Sequence, residues 1–172
     1  MPNTLNQVYT QLQTVGVLLT HQFELQFTGT GFDDEFKDIT IWAAGANLPG
    51  REQKVVDFNY YGYPLKMPGS FDMDHELTLD VRCNKTLQIR RAILNWGKTI
   101  SSWDLSTGGK KTLSVANCNL YLLDEKMQDR LQHFILYGVY PSKVGDIAMS
   151  HDDPKIGTFN CTFTYQYWDE IL

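Results

Sequence analysis

Thr158-Phe159-Asn160-Cys161-Thr162-Phe163-Thr164-Tyr165-Gln166-Tyr167 alternates without a break. Phe159, Cys161, Phe163, Tyr165 and Tyr167 fall on one side, and Thr158, Asn160, Thr162, Thr164 and Gln166 on the other. Successive strand side chains point to opposite faces, so the spacing predicts a half-buried β-strand with one apolar and one polar face. The polar face of this stretch carries no charge. A lone soluble domain usually guards an exposed strand with Lys, Glu or Pro. A long neutral strand therefore points to a surface that is covered, paired, or lining a space where charge is unfavourable.

Working outward, the same period recurs. Residues 22–28 alternate Phe23, Leu25 and Phe27 against Gln22, Glu24 and Gln26. A turn through Gly29 and Gly31, with Asp33, Asp34 and Glu35, leads to an expected strand over Ile39 to Ala46. Gly45 to Arg51 breaks the pattern. Lys54 to Tyr60 and Tyr63 to Met67 then read as an extended hairpin turning at Gly62. Its tip carries Phe58, Tyr60, Tyr61 and Tyr63, which either pack on the domain's own sheet or meet another subunit, Tyr being enriched at interfaces. Glu76 to Cys83 turns Leu77, Leu79, Val81 and Cys83 inward.

The period then changes. Asn84 is a suitable N-cap, and Ile89, Ile93, Trp96 and Ile100 recur at helical spacing, which predicts one main helix over about 85–102. Leu113 to Leu123 is a strand whose apolar phase slips, as a β-bulge would make it. Asp124 to Asp129 is a charged turn. Leu131 to Tyr140 is a strand stopped by Pro141, and Ile147 to Met149 a short one. The first 20 residues form an arm or a short helix capped by Thr4, with Leu5, Val8, Leu12 and Val15 on one side. The expected fold is mainly β: an antiparallel β-sandwich or barrel of seven or eight strands, one main α-helix and an extended hairpin, in a single domain over 1–172.

Composition narrows the function. With 172 residues there is room for one sizeable core. The net charge of −5 argues against a general nucleic-acid binder, which needs Lys and Arg to displace counterions. Cys83, Cys118 and Cys161 lie among apolar strand residues with no CxxC spacing, so they read as reduced core fillers. Met1 to Thr10 lacks a basic leader and Val15 to Leu19 is too short to span a bilayer, so no membrane insertion is expected.

No catalytic set holds. His21, His75, His133 and His151 show no metalloprotease spacing. His75 among Asp72, Asp74 and Glu76 reads as alternating charge at a strand entry rather than as a metal site. Gly109-Lys110-Lys111-Thr112 lacks the upstream Gly and strand of a phosphate loop. No metal, cofactor or catalytic residue is expected. A ligand-binding sandwich and an unrecognised hydrolase are the alternatives from the residues alone.

Two stretches carry a resemblance. One is Ala46-Asn47-Leu48-Pro49-Gly50-Arg51, followed by the hairpin, Phe71, the strand Glu76 to Val81, and the helix ending at Asn95-Trp96. The other is Tyr137-Gly138-Val139-Tyr140-Pro141-Ser142-Lys143-Val144-Gly145-Asp146-Ile147, then Gly157-Thr158-Phe159, closing at Tyr165-Gln166-Tyr167-Trp168. In this order, from about residue 20 to Trp168, the chain resembles the tail tube proteins of contractile-tailed bacteriophages. The resemblance implies a non-enzymatic subunit of hexameric rings stacked into a hollow tube inside a contractile sheath, with a β-barrel spanning each ring and the genome passing through. It implies inter-ring or inter-subunit contacts at Leu48, Pro49, Arg51, Phe58, Tyr60, Tyr61 and Tyr63. It makes Thr158, Asn160, Thr162, Thr164 and Gln166 candidates to line the lumen, with the opposite assignment of faces open. The implied partners are further copies of the chain, the sheath protein, baseplate or tube-initiator and terminator proteins, a tape measure protein in the lumen, and DNA in transit without sequence-specific binding. The implied location is the virion tail, after synthesis in the host bacterial cytoplasm. A tube protein of a phage-like contractile injection system, or a tube initiator or terminator, shares these motifs; length favours the repeating subunit.

Overall fold

In the computed structural model the stretch 158–167 forms two strands rather than one. The structure describes residues 5, 10, 21–31, 33–100, 115–124, 126–150 and 155–171. The expectations for residues 1–20 as a unit, 101–114 and His151 to Pro154 lie outside these. Strand β8 (Thr158–Thr164) keeps the predicted alternation, with Phe159, Cys161 and Phe163 buried. Tyr165 and Gln166 then break the ladder, and β9 (Tyr167–Ile171) starts with its phase reversed: Trp168 is buried and Tyr167 exposed. Gln166 therefore leaves the face of β8, its N–H bonding instead to the Tyr137 carbonyl.

The element order is β1 (Phe23–Thr28), α1 (Asp33–Phe36), α2 (Ile39–Trp42), β2 (Ala43–Ala46), β3 (Arg51–Tyr60), β4 (Tyr63–Met73), β5 (Glu76–Arg82), α3 (Gln88–Ile100), β6 (Ala116–Leu123), β7 (Arg130–Val144), then β8 and β9. The main sheet runs β1-β6-β7-β8-β5-β2, all antiparallel, with β9 also on β7. β3 and β4 form a separate two-stranded sheet. The order ends at β1 and β2, so among the described residues the sheet is open within one subunit.

β7 is the hinge of this sheet. Its first half pairs with β6 and β9, its second half with β8. Gly138 lies between them at φ +66, where a Cβ would stand 2.6 Å from Gln166 Cγ. Only glycine suits both that backbone and that approach. Pro141 does not stop β7; it sits beside a register shift between Pro141 and Lys143, and such a bulge is where a strand tolerates a residue that has no N–H to donate.

Residues 33–46 also depart from expectation. The acidic turn is the one-turn helix α1, and the front of the expected strand is helix α2. Phe36, Ile39 and Ala43 are buried while Ile41 is exposed, a helical rather than alternating pattern. Here tertiary bonding decides: the Thr40 hydroxyl donates to the Leu25 carbonyl (2.9 Å) and accepts from the Leu25 N–H (3.0 Å), which caps the outer edge of β1. The predicted bulge in β6 appears between Ala116 and Cys118, although Val115 is exposed; Ala116, Cys118, Leu120 and Leu122 are buried, and Tyr121 is buried with them. Residues 145–150 have no regular structure, so the short strand over Ile147 to Met149 does not form.

The core lies between the two halves of the sheet and is closed by α3. Asn84 holds the helix start, its side-chain oxygen accepting from Gln88 N–H at 3.1 Å. Ile89, Ala92, Ile93 and Trp96 face inward. Trp96 meets Phe27, Phe36 and Phe163 with ring centroids 6.3, 5.9 and 5.9 Å apart, and Phe27 meets Phe163 across the two halves at 5.2 Å. Such aromatic pairs each add about 0.5–1.5 kcal/mol beyond their burial. Cys118 and Cys161 are buried free thiols in this core, and Cys83 is half-buried. Burial pushes the Cys118 thiol far above its usual value and the Cys161 thiol up to about 12, so neither is a nucleophile at neutral pH.

Candidate functional site

The hairpin β3–β4 is longer than the sequence suggests, with ten residues in one arm and eleven in the other. At about 3.3 Å per residue it reaches roughly 30 Å. Tyr61 (φ 46) and Gly62 (φ 84) form its tip, the positive-φ pair that a tight two-residue hairpin turn requires. Register decides which side chains share a face. Val56 lies opposite Met67, Phe58 opposite Leu65, and Tyr60 opposite Tyr63. One face is therefore apolar over its whole outer length. The other presents Asp57 opposite Lys66 and Asn59 opposite Pro64, with Asp57 and Lys66 3.9 Å apart.

Those six apolar side chains are 48–74 % exposed in the subunit. Fully burying such a side chain is worth about 1.5–3 kcal/mol, so covering the exposed half of this face is worth roughly 5–9 kcal/mol. An isolated two-stranded hairpin is marginal in water. Its long apolar face thus has the character of a surface that another molecule covers. The sequence singled out Phe58, Tyr60, Tyr61 and Tyr63; it missed Val56, Leu65 and Met67, although the alternation Val56-Asp57-Phe58-Asn59-Tyr60 carries that signal.

The base of the hairpin is fixed to the body. The Arg51 guanidinium lies 4.4 Å from the Trp168 ring centre, so the residue expected at a subunit contact already engages its own chain. Lys54 bridges Asp72 across the arms at 2.9 Å. The Tyr165 hydroxyl donates to the Asp74 carbonyl, and the Tyr165 N–H to the His75 carbonyl. Burial pushes the Tyr165 phenol up to about 12. His75 bonds the Tyr165 carbonyl through Nδ1 at 3.1 Å. Among the described residues no group of three His, Cys, Asp or Glu could hold a metal ion. Leu48 is exposed and Pro49 half-buried in the segment entering β3.

The second candidate surface is the polar face of β8. Thr158, Asn160, Thr162 and Thr164 lie opposite Arg82, Asp80, Thr78 and Glu76 of β5, and Thr162 also opposite Lys143 of β7. The strand itself is uncharged, but its neighbours add two carboxylates and two cations, so the face is balanced rather than neutral. The third surface is the open strand edges. Among the described residues β9 pairs only with β7 and β2 only with β5. No helix of the described residues is long and apolar enough to cross a membrane.

The family model described as phage tail tube protein matches residues 2–171. No curated protein matches on sequence alone. Among solved structures, a chain of the extended-state sheath-tube complex of an extracellular contractile injection system, PVC, aligns at 11% identity with a TM-score of 0.65, covering 94% of this chain and 96% of that one. A chain of the anti-feeding prophage cap, a tube terminating cap, aligns at 13% identity and a TM-score of 0.66, covering 90% and 91%. A chain of the six-fold symmetrised anti-feeding prophage baseplate aligns at 12% identity and a TM-score of 0.60, covering 90% and 95%.

Proposed function

The chain belongs to the phage tail tube protein family, and on that premise we propose that it is the repeating subunit of a tube held together by the exposed surfaces described above. Its role is structural, in a tail tube. In this reading it is not an enzyme, and the subunits close into a hexameric ring, consistent with the six-fold symmetry of one structure that it resembles. Ring closure pairs the open edges of β2 and β9 with neighbouring subunits and removes the edge hazard. Rings then stack through the hairpin, with Leu48 and Pro49 at its approach, Arg51 bracing its base, and Phe58, Tyr60, Tyr61 and Tyr63 in the contact.

The polar face of β8 and β5 lines the lumen. Thr158, Asn160, Thr162 and Thr164 belong to it; Gln166 falls at its margin, where it packs on Gly138. A face with balanced charge gives DNA few counterions to release, so the genome passes without sticking. The sheath-tube complex and the terminating cap among the similar structures support a sheath and a terminator as partners. A baseplate or initiator at the other end, and a tape measure protein inside before the genome enters, complete the set. The subunit is made in the host cytoplasm and resides in the virion tail.

The observation that carries this reading is the hairpin's continuous, uncovered apolar face. Negative-stain microscopy of the purified protein at high concentration tests it. Rings or tubes with a central hole are expected; a monodisperse monomer, even with sheath protein added, contradicts it.

A further inference from the structure

We propose that Asp80 decides whether the β5–β8 face lets DNA slide past or captures it. The inference rests on the assignment of that face to the lumen and adds how charge is ordered along it. Register fixes the order. On β5 the outward residues Glu76, Thr78, Asp80 and Arg82 alternate with buried Leu77, Leu79 and Val81. Across the sheet Thr78 is level with Thr162 of β8, and Thr162 with Lys143 of β7. Along the strands the face therefore carries a carboxylate at Glu76, an ammonium at the level of Thr78, a carboxylate at Asp80 and a guanidinium at Arg82. The two carboxylates and two cations cancel, whereas the whole chain carries −5, so its acidity resides on other surfaces. Successive signs lie two residues or about 7 Å apart, inside the Debye length of about 8 Å at physiological ionic strength, so salt does not separate them and their fields cancel for a polyanion in the lumen.

Asp80 is the pivot because it is the carboxylate between the two cations. Its row across the sheet is kept bare. Asp80 lies opposite Asn160 on one side and Gly45 of β2 on the other. Beyond Asn160 stands Gly145, whose N–H bonds the Asn160 carbonyl at 2.7 Å. A Cβ on Gly145 would stand 2.8 Å from that carbonyl oxygen and 3.1 Å from the side-chain oxygen, so this place admits no larger residue. A Cβ on Gly45 would lie 3.7 Å from the Asp80 carboxylate, which therefore reaches over the empty glycine position. The exposed carboxylate thus faces whatever passes, with glycine at both ends of its row. Without its charge, Lys143 and Arg82 become consecutive along the strands, and each subunit offers two cations against one carboxylate. A phosphate chain contacting such a track releases counterions and is held.

DNA retention by assembled tubes tests this. Tubes of the wild type, Asp80→Asn, Asp80→Lys and Asp34→Asn are soaked with a short fluorescent DNA duplex at low salt, treated with a nuclease too large to enter the lumen, and pelleted. Asp34→Asn removes the same charge from α1, away from this face. Wild-type and Asp34→Asn tubes are expected to retain only background fluorescence. Asp80→Asn is expected to retain at least threefold more and Asp80→Lys at least tenfold more, with both gains lost between about 50 and 200 mM salt. Lys143→Gln added to Asp80→Asn is expected to return retention to background. Asp80→Asn keeps the shape of the side chain, so it carries the test if Asp80→Lys does not assemble. Tubes of normal yield from Asp80→Asn that retain no more DNA than wild type overturn the role of Asp80 and leave the tube reading intact. Extra DNA that the nuclease removes places the face outside the lumen and overturns the proposal together with the lumen assignment. Absence of rings and tubes from the unmodified protein overturns the tube reading and this inference with it.

Discussion

Replacing Phe58 by Asp separates folding from assembly. In the free subunit Phe58 is 49 % exposed, lies opposite Leu65 and stacks on Tyr60 with ring centroids 6.4 Å apart. It touches none of the core around Trp96, so the change removes about 1 kcal/mol of packing local to the hairpin. At this chain length 1 kcal/mol moves the melting temperature by about 2–4 °C. Assembly suffers far more. The covered half of the ring contributes about 1–1.5 kcal/mol per contact. The new carboxylate must in addition be desolvated or protonated, and protonating an ordinary Asp at pH 7 costs about 4 kcal/mol. Together these give about 5 kcal/mol per contact, a loss of roughly 10³–10⁴ in association constant. Sedimentation of assembled material across a concentration series, beside thermal melting of the dilute subunit, measures both effects. Because much of the penalty is protonation, lowering the pH from 7 to 5 restores assembly of Phe58→Asp by about 10²-fold, whereas Phe58→Asn gains nothing. Wild-type assembly by Phe58→Asp at pH 7, or a collapse of subunit melting, refutes the reasoning.

Other positions give narrower tests. Gly138→Ala places a Cβ 2.6 Å from Gln166 Cγ at φ +66, so it is expected to destabilise the subunit by about 1–3 kcal/mol; Gln166→Ala in the same chain recovers the steric part, as read by chemical denaturation. Tyr165→Phe deletes the hydroxyl donated to the Asp74 carbonyl and costs about 1–2 kcal/mol, lowering the melting temperature by a few degrees. His133, stacked on Tyr121 at 4.3 Å, is held below its usual pKa by burial first and then by Arg130. The unfolded chain therefore binds this proton at a higher pH than the fold does. Stability from this group is present above the unfolded His value and is lost as pH falls through it toward the folded value. His133→Gln flattens that part of the melting profile between about pH 7 and 5; an unchanged profile removes His133 as its source.

Alternation alone located β1, β5 and β8 because each has one buried and one exposed face, and helical spacing located α3 because Ile89, Ile93 and Trp96 face one core. The failures have physical causes. Residues 39–43 satisfy both periods, and the Thr40 bonds to Leu25 decide between them. Tyr167 and Trp168 are both aromatic, so the phase reversal between β8 and β9 is invisible without the break at Tyr165 and Gln166. Pro141 looks like a stop because a bulge that tolerates it leaves no mark in the chain. The aromatic hairpin was legible as an unusual feature, but its single apolar face needed the register that pairs Val56 with Met67 and Phe58 with Leu65.

The central claim is that this subunit's exposed apolar surfaces are interior surfaces of a larger assembly. Amide hydrogen exchange, read peptide by peptide in dilute subunits and in assembled material, tests it most directly. Residues 51–73 should exchange fast in the free subunit, where the hairpin opens locally, and slow by at least a hundredfold on assembly, while β6 is protected in both states. Equal, fast exchange of the hairpin in both states contradicts the account.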